Sequence, residues 1–478
     1  MLILDSKLQT QPQSQTKPSA RTVSLAIAII LLIVGVGAGA GATYLVTHLG
    51  PAAPTVNGFC ELPIVTNPST CFKLCSSGQT ITIGMLLDLS KTLSDQGTRA
   101  KDVSVLAMND INSLLSGGGC NVKFATAIDD YQLDNNLALQ DLKALAASGV
   151  QVVVGPLNSG TAQYILSYAG SNHIVLMSPS STSPALAVSN DYLYRTVPND
   201  AAQGLADARM LVDRGATDAI IVQRKDTYGD GLANATRDRF VALGGHVEPI
   251  IRYDASAADA GTLDWTATLT TLNTEFNNAV TAGYTVDKIA IDVIAFEEFS
   301  AMVIKAQSSF SSGSAHNFPW STLPWFGTDG EADNGKIITP ASTGTLVAQV
   351  KIVSTLFSTS DNAKSTALSS SFISKYPSTT CDSYCLGAYD DLWLGAISTI
   401  LVGSYNGTAI QEYLENYIAT SNGSLYGVTG PLSFQTTGDR LPTSYQIWKV
   451  VLQSGTATWV QAGSWDNGSD SITWTSVP

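Results

Sequence analysis

The sequence predicts an α/β protein of two doubly wound parallel-sheet lobes, with one N-terminal transmembrane helix. Three observations carry this. From residue 81 to 330, short apolar runs alternate with amphipathic stretches, the pattern of parallel strands covered by helices. The alternation passes through an irregular segment near 194–200 and then restarts, which gives two lobes. Upstream, residues 23–49 hold no Lys, Arg, Asp or Glu, and a bilayer helix needs about 20 such apolar residues.

The elements follow in order. Residues 1–21 form a polar tail with Lys7, Lys17 and Arg21 against Asp5. Positive charge before the apolar run holds the tail in the cytoplasm and sends residues 50–478 to the outer face of the cell membrane, as a single-pass protein. The alternative is a cleaved signal peptide, but the apolar run at 22–49 is longer than a signal core of about 7–15 residues. Residues 50–78, rich in Pro, Ser, Thr and Cys, read as a stalk. Strands are then expected at 81–89, 122–130, 150–157 and 173–179. Helices are expected at Gly97–Leu115, Asn135–Ala147 and Thr161–Ala169. In the first of these, Val103, Leu106, Ala107, Ile111 and Leu114 share one face. After the crossing, strands are expected at 218–224, 246–253, 288–295 and 324–330. The intervening helices fall at 201–214, 231–244, 263–282 and 297–308.

Composition narrows the function. The 478 residues carry a net charge of −14, which excludes nucleic acid as a partner, since phosphate binding needs basic patches. Removing Lys7, Lys17, Arg21 and Asp5, a local +2, leaves −16 on the exported part. The four histidines form no HExxH pair. The run GEADNGK at 330–336 has P-loop spacing, but Ile337 replaces the Ser/Thr, and Glu331 and Asp333 would repel phosphate. No GxSxG elbow exists. The sequence therefore calls for no enzyme activity, no cofactor and no metal. Six cysteines on an exported chain read first as disulfides. Of the many possible pairings, Cys60–Cys71, Cys75–Cys120 and Cys381–Cys385 are preferred. Cys75 and Cys120 each precede a strand by a few residues, and neighbouring parallel strands start at one edge. Glycosylation sequons stand at Asn234, Asn406, Asn422 and Asn467.

In open α/β sheets a ligand sits beyond the carboxyl ends of the strands. The first lobe places Gly155-Pro156-Leu157-Asn158-Ser159-Gly160 and Ser178-Pro179-Ser180-Ser181-Thr182-Ser183 there. Both loops supply hydroxyls and N–H groups at a helix start, which suit a carboxylate, although the same residue types routinely cap helices. The second lobe offers Tyr228, able to stack on a ligand, and Asp329, able to hold an ammonium group. Asp329-Gly330 is also ordinary turn chemistry.

The runs VVVGPLNSGTA (152–162), LMSPSSTSPAL (176–186), YRTVPNDAAQG (194–204), DTYGDGLA (226–233), GTDG (327–330), Ala388-Tyr389-Asp390 and GPLSFQTTGD (430–439) come in a telling order. In that order and spacing, residues from about 79 to 478 resemble the type I periplasmic solute-binding proteins of the branched-chain amino-acid (Leu/Ile/Val) family, the receptors of ABC importers. The resemblance implies two lobes joined by a three-segment hinge. Lobe 1 would comprise 79–199 and 353–431, and lobe 2 would comprise 200–352 and 432–478. It further implies that Ser159, Ser180, Ser181 and Thr182 hold a ligand carboxylate, that Asp329 holds the ammonium, and that Tyr228 caps the ligand. Gln96, Asn158 and Tyr384 would form the side-chain pocket. Gln96 and Asn158 are more polar than in leucine binders, which favours a small or polar amino acid or an amide. The aromatic the family places near 294–298 has no clear counterpart. The implied partners are a small-molecule ligand and ABC permease subunits. The same fold also serves ligand-sensing ectodomains of membrane receptor complexes.

Overall fold

A computed structural model describes residues 60–61, 65–310, 318–418 and 426–476. The expected tail, the apolar anchor and the sequon at Asn422 lie outside the described residues.

The first lobe is built on a five-stranded sheet of order β2-β1-β3-β4-β5, parallel throughout. Its strands are β1 (Thr80–Leu87), β2 (Lys123–Asp130), β3 (Val152–Val154), β4 (Val175–Ser178) and β5 (Leu193–Arg195). Most of β1 and all of β3 and β4 are buried, which is why they read as unbroken apolar runs. β5 falls where the sequence suggested only a crossing; three residues leave no periodicity to detect. The helices of this part are α1 (Pro68–Cys75), α2 (Ser94–Gly117), α3 (Asn135–Ala147) and α4 (Ser159–Ser171). α2 buries Ala100, Val103, Ala107, Ile111 and Leu115 at three- to four-residue spacing, one stripe of a 3.6-residue period. Asp134 caps α3 by accepting the N–H groups of Asn136 and Leu137.

The second sheet has the order β16-β15-β14-β11-β10-β9-β6-β7, with β8 also paired to β6. Its parallel part is β6 (Asp218–Arg224), β7 (His246–Val247), β8 (Ile251–Tyr253), β9 (Ile289–Ile294), β10 (Trp325–Gly327) and β11 (Val353–Phe357). β14 (Ser444–Gln453), β15 (Thr456–Asp466) and β16 (Ser471–Trp474) extend it antiparallel. A two-stranded ribbon, β12 (Tyr426–Gly427) and β13 (Gly430–Pro431), stands apart. The helices on this side are α5 (Asp200–Asp213), α6 (Thr227–Ala242), α7 (Ala255–Asp259), α8 (Thr266–Ala282), α9 (Phe299–Phe310) and α10 (Ala341–Val350). The chain then supplies α11 (Ala363–Lys375), α12 (Ser383–Val402) and α13 (Gly407–Tyr413) to the first lobe. α12 is long and apolar enough to cross a membrane, but it is buried along its length, and Gly395 lets it approach Val152 and Ile83 of the first sheet. It is a core helix.

Three expected boundaries shift. Val353–Phe357 is a buried strand between β10 and β14, so it belongs to lobe 2, and the second crossing follows Phe357. The third crossing follows Arg440 rather than Pro431. Residues 433–440 are held to lobe 1 by the N–H of Arg195 on the Gly438 carbonyl (2.9 Å) and by the fully buried Arg195–Asp439 ion pair (2.6 Å). The stalk ends earlier than residue 78. The segment leading into α1 is tied to the body by the Thr66 N–H on the Leu401 carbonyl (3.2 Å), and α1 itself by the Cys75–Cys120 disulfide. The other disulfides are Cys60–Cys71 and Cys381–Cys385, so all three preferred pairs form.

Candidate functional site

The carboxyl ends of both sheets face one another across a cleft lined by Leu93, Gln96, Leu157, Asn158, Ser159, Ser180, Tyr228, Phe296, Asp329 and Gly330. Close approach of backbone shapes the walls. A Cβ on Gly330 would sit 2.0 Å from the Ala295 carbonyl oxygen, and one on Gly155 would sit 2.2 Å from that of Leu86. Only glycine fits at either place.

The lobe 1 wall is the start of α4. Asn158 occupies the N-cap position but makes no side-chain cap bond; its Oδ1 instead accepts the Tyr131 hydroxyl at 2.8 Å. No side chain therefore caps the first turn, and the positive end of the helix faces the cleft. Ser159 Oγ accepts the N–H groups of Thr182 and Ser183, each at 3.1 Å, which leaves its own proton to donate. Ser180 Oγ donates to the Leu157 carbonyl at 2.9 Å. Ser181 and Thr182 do not line the cleft. The Ser181 hydroxyl is buried and its carbonyl accepts Arg195 Nη1 at 3.0 Å, while the Thr182 carbonyl accepts the Asp200 N–H at 2.8 Å. Of the four residues expected to hold a carboxylate, Ser159 and Ser180 line the cleft, and Ser181 and Thr182 lie buried next to them in the same loop.

The lobe 2 wall centres on Asp329, which follows β10 and is only 6% exposed. Its Oδ1 accepts Tyr228 Oη at 2.6 Å and Gln203 Nε2 at 2.9 Å, and its Oδ2 accepts Tyr384 Oη. Burial pushes its carboxyl up, and the three donors pull it back toward the ionised form. A carboxylate offers about four acceptor positions, so one remains. Burial, with the Asp329 charge adding to it, pushes the carboxyls of buried Asp200 and Asp207 well up, toward their neutral forms. Tyr228 stacks on Phe296 with ring centroids 5.3 Å apart and 17° between planes. The Arg224 guanidinium lies 3.7 Å from the Phe296 centroid and is paired to Asp226, Asp259 and Glu298. Phe296 is the aromatic that the sequence left unplaced. Gln203, on α5, carried no sequence signal, because its partner lies 126 residues away.

Gln96 and Asn158 line the cleft as expected, and Tyr384 reaches it through Asp329. Leu93, Leu157 and Phe296 add an apolar portion.

The lobes also touch beside the cleft. The Glu297 carboxylate accepts Ser94 Oγ (2.9 Å) and the Asp95 N–H (2.7 Å) at the start of α2, and the Glu297 N–H donates to the Thr92 carbonyl (3.0 Å). Burial pushes the Glu297 carboxyl up to about 7. Nearby, Arg99 pairs with Asp95 (2.6 Å), Asp382 (3.0 Å) and, across the lobes, Asp333 (3.5 Å).

Residues 99–453 match the family model described as the receptor family ligand binding region. An uncharacterized protein of Methanocaldococcus jannaschii, MJ1266, is 29% identical over 413 residues, covering 84% of this chain and 93% of that one. The chemotactic signal transduction substrate-binding protein BasB of Halobacterium salinarum is 30% identical over 181 residues, 35% of this chain and 42% of that one. The Leu/Ile/Val-binding protein BraC3 of Rhizobium johnstonii is 26% identical over 197 residues, 41% of this chain and 52% of that one. Among solved structures, the leucine-binding protein LivK of Thermotoga maritima superposes with a TM-score of 0.63 at 16% identity, covering 80% of this chain and 97% of that one. LivJ of Streptococcus pneumoniae, in complex with isoleucine, gives 0.59 at 23% identity over 80% and 99% of the two chains. The chain thus belongs to the receptor ligand-binding-region family, with the type I periplasmic-binding-protein fold that the Leu/Ile/Val-binding proteins share.

Proposed function

We propose that this protein is the solute-binding receptor of an ABC importer and captures a small amino acid or amide between its lobes. The carrying observation is the split of charge across the cleft. An uncapped helix N-terminus with Ser159 stands on one wall, and Asp329 with Tyr228 stands on the other. A zwitterion satisfies both, its carboxylate on lobe 1 and its ammonium on the open acceptor position of Asp329. Gln96 and Asn158 beside Leu93 and Phe296 favour a short, partly polar side chain. On this reading residues 22–49 anchor the protein in the cell membrane, the tail is cytoplasmic, the lobes face outward, and the partner is a permease. Asn234 and Asn406 are exposed, so both are open to glycosylation.

A thermal-shift screen against the common amino acids and their amides tests the reading. Ligand at about 100 times its dissociation constant adds roughly 2.7 kcal/mol of stability. Asp329→Ala is expected to abolish the shift given by the best ligand. A shift of equal size in that variant refutes the ammonium assignment.

The likeness to BasB favours a second reading, the ligand-sensing ectodomain of a receptor complex. Affinity capture from membranes separates the two: permease subunits support import, and a signalling transducer supports sensing.

A further inference from the structure

We propose that Asp218, His246 and Glu248 form a binding site for a divalent transition-metal ion at the end of the second sheet remote from the ligand cleft. The register of the strands brings the three together. Asp218 opens β6 and lies opposite His246 of β7 in a parallel pair, so both side chains leave the same face. Glu248 is two residues beyond His246, and its N–H donates to the Ala219 carbonyl at 3.0 Å, so it returns to that face. One ligand atom from each residue lies within 4.8 Å of the other two. β6 is seven residues long, so the group stands about 20 Å from the cleft end of the same strand.

Three features distinguish this cluster from an ordinary surface ion pair. Asp218 is fully buried, and while its Oδ1 meets His246 Nδ1 at 2.6 Å, its buried Oδ2 has no hydrogen-bond partner. That is an acceptor without a donor, in a place where a cation would satisfy it. Neither Asp218 nor Glu248 pairs with a lysine or arginine among the described residues; their close cationic group is His246 alone. His246 is about half exposed, which gives an ion a way in, and its ring stacks on Tyr284 with centroids 5.6 Å apart and 18° between planes, which orients it.

The distances suit metal insertion. In a tetrahedral site with bonds of about 2.1 Å, ligand atoms are about 3.4 Å apart. Here His246 Nδ1 lies 2.6 Å from Asp218 and 3.9 Å from Glu248 Oε1. A small swing of the exposed imidazole equalises the two separations. One imidazole nitrogen with two carboxylates suits zinc, cobalt, manganese or iron(II), whereas magnesium and calcium prefer oxygen alone.

The test is calorimetric titration of the metal-free full-length protein with zinc chloride, with cobalt(II) absorption as a second probe. One equivalent is expected to bind, with visible ligand-field bands for cobalt. His246→Ala, at a half-exposed position, should weaken zinc binding at least tenfold and remove the bands, with the far-ultraviolet circular dichroism unchanged. Glu248→Gln should give a similar loss. No binding by the unaltered protein overturns the proposal, as does zinc binding that persists unchanged in both variants.

Discussion

Glu297 gives the sharpest handle on how the lobes hold together. Its carboxyl group is pushed up to about 7 by burial, from an ordinary 4.5, despite the hydrogen bonds from Ser94 and the Asp95 N–H. The charges of Asp95 and Asp88 press in the same direction as burial. A carboxyl raised in the folded protein binds protons more tightly there than in the unfolded chain. Its contribution to stability is therefore complete below about pH 4.5 and is lost as pH rises through about 7. With those two values, the folded state is favoured about 30-fold by protonation at about pH 5.5 and only about 1.3-fold at about pH 7.5. The ratio is roughly 20-fold, or about 2 kcal/mol. Asp333 and Asp191, each raised to about 6, and Asp292, raised to about 7, titrate in the same window, so the total change in the protein is larger. The informative measurement is thus a difference. Urea denaturation of the protein and of its Glu297→Gln variant, at both pH values, should show the parent gaining about 2 kcal/mol more than the variant on acidification. Parallel pH dependences would show that Glu297 titrates in the folded protein as it does in the unfolded chain, and the argument from its burial would fail.

Two further outcomes are expected. Ser159→Ala removes the donor facing the cleft and also strands the N–H groups of Thr182 and Ser183. It should therefore lower both amino-acid affinity, measured by calorimetry, and stability, the latter by about 1–3 kcal/mol in denaturant titration. The disulfides should differ in worth: the Cys75–Cys120 bridge spans 45 residues and the Cys381–Cys385 bridge only 4. By loop entropy, replacing the first pair with serine costs about 4 kcal/mol and the second about 2 kcal/mol, read as separate shifts in the denaturation midpoint.

The parts that were legible in the sequence share a physical cause. Strands buried on both faces must be apolar along their length, so ITIGMLL and DAIIVQR announced themselves. The loops after them were legible because function in this architecture concentrates at the carboxyl ends of strands. What was not legible depended on long-range partners. VSTLF is buried in the second sheet through its neighbours β10 and β14, one from either side of a crossing, and nothing in five residues says which sheet they join. Ser181 and Thr182 look like Ser159 and Ser180 in sequence, but the turn of the loop sends the first pair to Arg195 and Asp200. Phe296 could not be ranked above its neighbours until Tyr228 was seen stacked on it. Asp218 and His246, 28 residues apart, meet only through strand register.

The arrangement of charges links binding to closure. On the proposed reading, a ligand held by one wall alone satisfies half of its zwitterion. The ammonium site draws on Asp329 and Gln203 from the second lobe, while the carboxylate site draws on the first turn of α4 and Ser159 from the first. Closing the lobes thus adds the second set of charge-assisted bonds in a single movement, and a ligand lacking either charge gains only part of the closing energy. Glu297 also joins the lobes at the start of α2, next to Leu93 and Gln96 of the cleft, so on this reading closure buries it. Protonation of Glu297 and occupation of the cleft therefore favour the same closed state. By linkage, ligand binding should draw protons from solution near neutral pH, and a ligand titration repeated in buffers of different ionisation enthalpy should return different heats. Heats independent of buffer would separate the latch from the ligand.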